Sequence, residues 1–290
     1  MLCSLCKSTE ITRKYHLPSL DVLECRRCGL VFIGGPAVPS SPANSYTQAY
    51  YEERSDYYYR NSVVDPEGGV EHGTIRDFRH GLDIINSLKQ PGRILDVGCA
   101  MGIFPAMAGR DGWKPYGVDV SEFAIEFAKK HFDGEYFTGH LRDARFPDRF
   151  FDVITLWDSV EHFEDPLEEL VEIGRVLKDD GILLFDTPNA DSLMRYVAHW
   201  IYRLSGGAIH YPVGKLYHVY HRYYFSAATI TRLLKQAGFR VNRLEKKTIP
   251  LVKARGRKIE KSLVRGLSWL ERVSQRKYEL FVIAVREDSQ

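Results

Sequence analysis

The sequence has no uninterrupted apolar run of about 18 residues, so no segment of it predicts a membrane-spanning helix. Its opening segment, MLCSLCKSTEITRK, lacks the apolar stretch found at the centre of a secretory signal. No internal repeat is visible, and the formal net charge of +2 indicates no particular class of charged partner. These absences lead us to expect a cytoplasmic protein.

The chain does have enough apolar material for one full core. With 290 residues and 44% hydrophobic content, it can bury an α/β core and leave a small accessory module. Its charge is uneven, because residues 253–277 hold nine basic and two acidic residues and so carry +7, which leaves −5 elsewhere.

The leading interpretation of this basic segment is an amphipathic helix that packs on the core. Its apolar stripe consists of Ile259, Leu263, Leu267, Leu270 and Val273. Two alternatives are attraction to an anionic acceptor and peripheral contact with an anionic membrane surface.

The most informative stretch is residues 93–122, RILDVGCAMGIFPAMAGRDGWKPYGVDVSE. It predicts an apolar strand, a glycine-containing turn, a helix and a second strand that ends in Asp119. Gly98 and Gly102 allow the backbone to approach a ligand without an intervening Cβ. Asp119 follows Gly98 by about 20 residues, the separation at which an acid can accept hydrogen bonds from ribose hydroxyls. The pattern indicates a nucleotide-cofactor site in a Rossmann-like α/β fold.

The turn does not fit a dinucleotide site. That site requires GxGxxG, whose glycines pack a pyrophosphate against a helix N-terminus. Here Ala100 takes the second glycine position and Ile103 the third. Dinucleotide binding is therefore disfavoured.

Residues 96–102, DVGCAMG, instead resemble the first motif of the class I S-adenosylmethionine-dependent methyltransferases, an acid followed by a GxGxG-like turn. Ala100 departs from that motif too. Residues 139–154, GHLRDARFPDRFFDVI, are similar to the family's third and fourth strands. Residues 157–166, WDSVEHFEDP, resemble the loop after the fourth strand, whose EHxxDP ending recurs in small-molecule methyltransferases.

This resemblance, over residues 1–30 and 90–287, implies a Rossmann-like, doubly wound, seven-stranded sheet with an antiparallel last strand, plus a small N-terminal zinc ribbon. It implies S-adenosylmethionine as cofactor, with Asp143 reaching the adenine amine. The expected organisation is a ribbon at 1–40, a tyrosine-rich linker or lid at 41–75, and a methyltransferase domain at 76–290 with insertions at 189–220 and 249–277. The cofactor-binding residues that it implies are Asp96, Gly98, Cys99, Ala100, Gly102, Asp119, Val120, Asp143, Ala144 and Trp157.

Four of the five cysteines form two CxxC pairs with 18 residues between them: Cys3, Cys6, Cys25 and Cys28. Each pair lets two thiolates bind one tetrahedral metal from a tight turn, and this spacing is typical of structural zinc. Disulfides are the alternative, disfavoured in a reducing cytoplasm. The fifth, Cys99, is interpreted as a small buried thiol rather than a nucleophile.

Three segments outside these motifs are candidates for the acceptor site. Residues 45–60 contain six tyrosines, which either pack this segment onto the core or form a lid over the cofactor. The first insertion has apolar residues on one helical face that we expect to cap the pocket: Leu193, Val197, Trp200, Ile201 and Leu204. The second insertion contains the basic segment.

Residues 217–226, YHVYHRYYFS, resemble the HxxYFS segment that precedes the penultimate helix in sugar and small-molecule methyltransferases. An imidazole with a pKa near neutral suits removal of a hydroxyl proton. His221 is therefore the first candidate for a catalytic base. His162 is the second, because its loop also opens onto the carboxyl ends of the strands.

These features predict methylation of a small-molecule, sugar or glycan acceptor, which can be anionic or carrier-linked, with oxygen as the preferred atom. A zinc-ribbon RNA methyltransferase is one alternative. The ribbon is only mildly basic and no RNP-like run appears, so a nucleic-acid partner is disfavoured. The other alternative is a scaffold that binds the cofactor without catalysis.

Overall fold

The computed structural model describes residues 1–34, 46, 50–51, 73–248, 270–271 and 273–287. The strands in these residues are β1 (Ile11–His16), β2 (Asp21–Cys25), β3 (Val31–Gly34), β4 (Arg93–Val97), β5 (Lys114–Asp119), β6 (Glu135–Thr138), β7 (Phe151–Leu156), β8 (Leu177–Pro188), β9 (Tyr223–Tyr224), β10 (Phe239–Lys247) and β11 (Glu279–Arg286). The α-helices are α1 (Gly73–Leu88), α2 (Ile103–Arg110), α3 (Glu122–His131), α4 (Pro166–Val176), α5 (Leu193–Leu204), α6 (Tyr211–Leu216) and α7 (Ala227–Gln236).

The larger sheet has seven strands in the order β10-β11-β8-β7-β4-β5-β6. Strands β4 to β8 pair in parallel, whereas β11 is antiparallel to both β8 and β10. This arrangement confirms the predicted fold class, including the antiparallel last strand. The carboxyl ends of the parallel strands meet at one edge, where open α/β sheets bind their ligands.

Local sequence signals fix the boundaries of the helices that cover the sheet. Helix α4 begins after Asp165, whose carboxylate accepts hydrogen bonds from the N–H groups of Leu167 and Glu168. Helix α7 begins after Ser226, which forms a capping box with Thr229. Both helices begin where the loops of the carboxyl edge end.

The N-terminal module is a second, four-stranded sheet in the order β1-β2-β3-β9. Its fourth strand comes from the distant segment Tyr223–Tyr224, which pairs antiparallel with Val31 and Phe32. The Ile33 N–H also donates to the Arg222 carbonyl at 2.9 Å. The ribbon and the segment that contains His221 are therefore joined by backbone hydrogen bonds.

Side chains strengthen this junction. Cys3, Leu5, Leu30 and Phe32 are buried in the same hydrophobic cluster as Phe225 of the larger domain. Burial of these groups removes apolar surface from water on both sides of the junction. The ribbon thus shares a core with the sheet that follows it.

Helix α5 packs with a different face from the one that its apolar pattern predicts. Trp200 and Leu204 are 46% and 83% exposed, whereas Arg195 and Ala198 are buried. The buried side faces the ribbon, where the Tyr15 hydroxyl lies 2.9 Å from His199 Nδ1. Hydrogen bonds and ring contacts orient the helix, and neither kind of contact can be predicted from the spacing of apolar residues.

Most of the basic segment lies outside the described residues, including Ile259, Leu263 and Leu267. The remaining two residues of its predicted stripe, Leu270 and Val273, are 46% and 68% exposed. Among the described helices, none is long and apolar enough to cross a bilayer.

The junction between β3 and Arg222 can be tested with Ile33→Pro. Proline removes the N–H that donates to Arg222 and leaves that carbonyl without its partner, a loss of about 1–3 kcal/mol. Ile33→Val keeps the N–H and removes one methylene. We expect the proline variant to have the lower free energy of unfolding of the two in urea denaturation. Equal values for the two variants would contradict a contribution from this hydrogen bond.

Candidate functional site

The turn after β4 is built from two glycines with left-handed backbones, Gly98 at φ 81° and Gly102 at φ 77°. A Cβ on Gly98 would collide with the Ser159 side chain, and one on Gly102 would lie 2.8 Å from the Ala128 Cβ. Both positions therefore require glycine. The open turn at the start of α2 fits a ligand that approaches the backbone closely.

Ala100 adopts a left-handed conformation as well, with φ 46°. That conformation costs an L-residue about 1–2 kcal/mol. The Ala100 N–H donates to Asp119 Oδ2 at 2.8 Å, and the Ser121 N–H donates to Asp119 Oδ1 at 2.8 Å. The carboxylate thus holds the turn in shape, which explains how alanine replaces the expected second glycine.

Asp119 lies at the end of β5 and is only 9% exposed. Burial raises the pKa of its carboxyl, while the two backbone donors act in the opposite direction. Each carboxylate oxygen has a second lone pair for a further donor. The position and chemistry of Asp119 fit acceptance of ribose hydroxyl hydrogen bonds, and Val120 follows it directly.

Asp96 and Cys99 lie beneath the turn rather than on its open side. Asp96 is 2% exposed and accepts a hydrogen bond from the Thr155 hydroxyl at 2.7 Å. Burial raises the pKa of Asp96 to about 8. Burial also raises the pKa of the Cys99 thiol, which does not suit a nucleophile.

The predicted adenine end of the site follows β6, in a 3-10 turn at Leu141–Ala144. Asp143 is exposed, and its Oδ2 accepts a hydrogen bond from the His140 N–H at 3.0 Å. Ala144 beside it is half-buried. An exposed carboxylate at this edge is accessible to an amine donor.

Trp157 occupies a different environment from the other predicted cofactor residues. It is 8% exposed and packs against Phe78 and Phe104, with ring centroids 5.0 and 5.1 Å away. Its indole Nε1 is buried and has no hydrogen-bond partner among the described residues. Trp157 therefore contributes to the core beneath α1, close to the turn.

Three of the six tyrosines in residues 45–60 are described, and they lie over the turn. The Tyr46 carbonyl accepts a hydrogen bond from the Ser121 hydroxyl at 2.7 Å, and its own hydroxyl lies 3.0 Å from His162 Nδ1. Tyr51 is buried in a cluster with Met101 and Ala124, and Tyr50 contacts its ring. Tyr46 thus links Ser121, just after β5, to His162, as a lid would. Tyr57, Tyr58 and Tyr59 lie outside the described residues.

The structure brings the two candidate histidines together from separate segments. The rings of His162 and His221 are 4.6 Å apart at their centroids. His162 Nδ1 lies 2.6 Å from the Tyr220 carbonyl, which has no hydrogen to donate, so Nδ1 carries the proton. In the neutral imidazole, Nε2 then carries the ring lone pair.

Glu161 is a third member of this group that the sequence reasoning did not single out. It is fully buried, and its Oε2 accepts a hydrogen bond from the Thr187 hydroxyl at 3.0 Å. One carboxylate oxygen of Glu161 and one ring nitrogen of each histidine lie within 4.8 Å of one another. The loop DSVEHFED contains four acids, and nothing in the sequence distinguishes the fully buried one from the other three.

The four N-terminal cysteines converge on one point. The Cys3 and Cys28 Sγ atoms are 3.5 Å apart, as are those of Cys6 and Cys25, and all four lie within 4.8 Å of one another. A metal with bonds of about 2.3 Å places tetrahedral sulfur atoms about 3.8 Å apart. All four are free thiols. The donor set fits a tetrahedral metal ion rather than two disulfides.

Comparison with known families gives a match over most of the folded core. The sequence pattern of a family described as a methyltransferase domain matches residues 71–244. The chain is similar to the ubiquinone biosynthesis O-methyltransferase of Actinobacillus pleuropneumoniae, with 33% identity over 33% of this chain and 46% of that protein. The mitochondrial enzyme of the same name from Schizosaccharomyces pombe is 30% identical over 52% of this chain and 56% of its own length. The chain spans about half the length of these curated relatives.

Solved structures show the same fold. A SAM-dependent methyltransferase from Archaeoglobus fulgidus aligns over 80% of this chain and all of its own, with a TM-score of 0.52 and 20% identity. One from Mesorhizobium loti covers 74% of this chain and 99% of its own, with a TM-score of 0.51 and 17% identity.

The role of Asp119 can be tested with Asp119→Asn. The amide replaces one acceptor oxygen with a donor that faces a backbone N–H, so one of the two hydrogen bonds that shape the turn is lost. A hydrogen bond to a charged group contributes about 1.5–3 kcal/mol, so the affinity for S-adenosylmethionine should fall roughly 10- to 100-fold. Calorimetry measures this, with the exposed Asp133→Asn as the matched control. Unchanged affinity in Asp119→Asn would exclude the role.

The pKa of Asp96 predicts a pH dependence of stability. The folded carboxyl has a pKa of about 8, whereas an unfolded one titrates near 3.9. The folded state therefore binds the proton more tightly, and this stability is lost as pH rises from about 4 through 8. Asp96→Asn removes that titration and keeps an acceptor for Thr155. Between pH 5 and pH 9 the free energy of unfolding of Asp96→Asn should decrease less than that of the wild type. Parallel plots of the free energy of unfolding against pH for the two proteins would contradict this prediction.

Proposed function

Because the chain belongs to the family with this methyltransferase domain, we propose that it transfers the methyl group of S-adenosylmethionine to a hydroxyl oxygen of a small-molecule acceptor. The observation that carries this proposal is the position of His162 and His221. Two imidazoles from separate segments meet here, and Tyr46 contacts both His162 and Ser121, whose N–H is held by Asp119.

The residues around the turn would bind the cofactor. Gly98 and Gly102 admit it close to the backbone, Asp119 accepts the ribose hydroxyl hydrogen bonds, and Asp143 accepts from the adenine amine. When bound, S-adenosylmethionine supplies an electrophilic methyl group on a sulfonium. Tyr46 and Tyr51 cover the turn and exclude water, which favours the aligned geometry that methyl transfer requires.

The histidines would act on the acceptor. His221 removes the hydroxyl proton as the acceptor oxygen attacks the methyl group, so that the methylated oxygen of the product is not protonated. His162 is the second candidate for this role, since its Nε2 carries a lone pair. Its Nδ1–H is held by the Tyr220 carbonyl, which fixes the ring orientation.

Oxygen as the methylated atom is supported by the relatives, whose names describe O-methyltransferases of ubiquinone biosynthesis. A sugar or glycan acceptor is our narrower proposal, from the HxxYFS segment at 221–226. The basic segment 253–277 would favour an anionic or carrier-linked form of such an acceptor.

We further propose that Cys3, Cys6, Cys25 and Cys28 hold a structural zinc ion. Four thiolates fill the coordination sphere and leave no position for substrate, so the ion would stabilise the ribbon rather than take part in catalysis. The ribbon in turn holds the strand that begins two residues after His221.

Alanine substitution of each histidine tests the proposal. General base catalysis contributes about 10²- to 10⁴-fold, so His221→Ala should lower methyl transfer by about that factor and keep its affinity for S-adenosylmethionine. Transfer is measured with methyl-labelled S-adenosylmethionine and the small-molecule fraction of a cell extract. His210→Gln, which changes an exposed histidine outside the site, is the control.

Three outcomes separate the alternatives. Full turnover in both His221→Ala and His162→Ala would exclude histidine base catalysis. Label that enters total RNA instead of small molecules would favour an RNA methyltransferase. Cofactor binding without transfer to any fraction would indicate a scaffold.

A further inference from the structure

We propose that Glu161, His162 and His221 form a second metal site, which binds a divalent transition-metal ion beside the acceptor. Two imidazoles and one carboxylate supply three ligand atoms, all within 4.8 Å of one another. Bonds of about 2.0–2.2 Å require ligand atoms about 3.3 Å apart, so modest side-chain rotation closes the site. Two histidines and a glutamate are a typical zinc ligand set that leaves the fourth position open.

The carboxyl group of Glu161 is the independent observation that points to an ion. Its Oε2 accepts from Thr187, but its Oε1 is buried and has no hydrogen-bond partner among the described residues. A fully buried carboxyl oxygen without a partner is costly, and a cation is the group that would compensate it. Asp158 and Asp186 lie near enough to interact electrostatically with Glu161, and their negative charges also favour a cation at this position.

The surrounding groups already orient the ligand atoms. The Tyr220 carbonyl accepts a hydrogen bond from the Nδ1–H of His162, so Nε2 is the ring nitrogen that would bind the ion. The Thr187 hydroxyl donates a hydrogen bond to Oε2 of Glu161, so Oε1 is the oxygen that would bind the ion. Hydrogen bonds of this kind, from a histidine N–H to a backbone carbonyl and from a hydroxyl to a carboxylate, are typical of metal sites.

This inference rests on the proposed function for what the ion would do. An acceptor hydroxyl in the open position has a lowered pKa, so its proton passes to solvent and the oxygen keeps the electron pair for attack on the methyl group. In that state His221 and His162 act as ligands. Without the ion they would act as the bases proposed above.

The site can be tested with Co²⁺ as the probe, without acceptor or cofactor. Protein whose ribbon already contains zinc is titrated with Co²⁺, and visible absorption distinguishes nitrogen and oxygen ligands from thiolates. We expect one equivalent to bind without a thiolate charge-transfer band. The proposal would be overturned if Co²⁺ did not bind, or if it bound only with the thiolate band. This titration uses the wild-type protein, so its result does not depend on whether a variant folds.

Variants assign the ligands. Glu161→Gln and His221→Ala should each weaken Co²⁺ binding by more than about 100-fold, and Thr187→Val by about 10- to 100-fold through loss of the orienting hydroxyl. The matched controls are Glu168→Gln and His210→Gln, which change an exposed carboxylate and an exposed imidazole. Equal affinity in wild type and Glu161→Gln would show that Co²⁺ binds elsewhere and would refute the site.

The same measurements separate this inference from the proposed function. If Co²⁺ does not bind but His221→Ala still loses methyl transfer, the metal site is wrong and the histidine base stands. If Co²⁺ binds as expected but no fraction is methylated, the site stands and the proposed function is wrong.

Discussion

The pairing of β3 with Tyr223–Tyr224 is the constraint on which the acceptor side of this protein depends. The segment from Tyr220 to Phe225 is held on one side by the ribbon, through Ile33 and Phe32. On the other side it is held by His162 and by Ala190, whose N–H donates to the Phe225 carbonyl at 2.8 Å. His221 therefore lies two residues before a short strand that two separate parts of the fold hold in place, and the loop Val160–His162 meets His221 there. A site assembled from loops gains its precision from such supporting contacts.

The sequence was most informative where one segment supplies its own signals. The motifs in residues 93–166 implied, through their resemblance to a known family, a seven-stranded sheet with an antiparallel last strand, and the structure confirms both. Local signals also mark two helix starts, because α4 and α7 begin directly after Asp165 and Ser226, whose side chains cap them. The two CxxC pairs predicted a cluster of four thiols because each pair contains its own local geometry.

The features that could not be predicted depend on contacts between distant segments. The role of Asp119 in holding Ala100 in a left-handed conformation involves a carboxylate and a backbone N–H 19 residues apart. The burial of Glu161 depends on Thr187, on the neighbouring strand. The packing of α5 follows from Tyr15 and Tyr202, whose rings are 5.1 Å apart, although the apolar stripe of the helix suggests another face. Periodicity reports how apolar a face is, but it does not report which polar partner that face will meet.

The fourth strand of the ribbon has a consequence for folding during synthesis. Residues 1–34 are synthesised well before β9, so β3 obtains its neighbour only when Tyr223 and Tyr224 have been made, about 190 residues later. Until then one edge of a small sheet is unpaired, and unpaired strand edges promote association between chains. The N-terminal module therefore reaches its final form late in translation, and transplanting it onto another protein would require that protein to supply the missing strand.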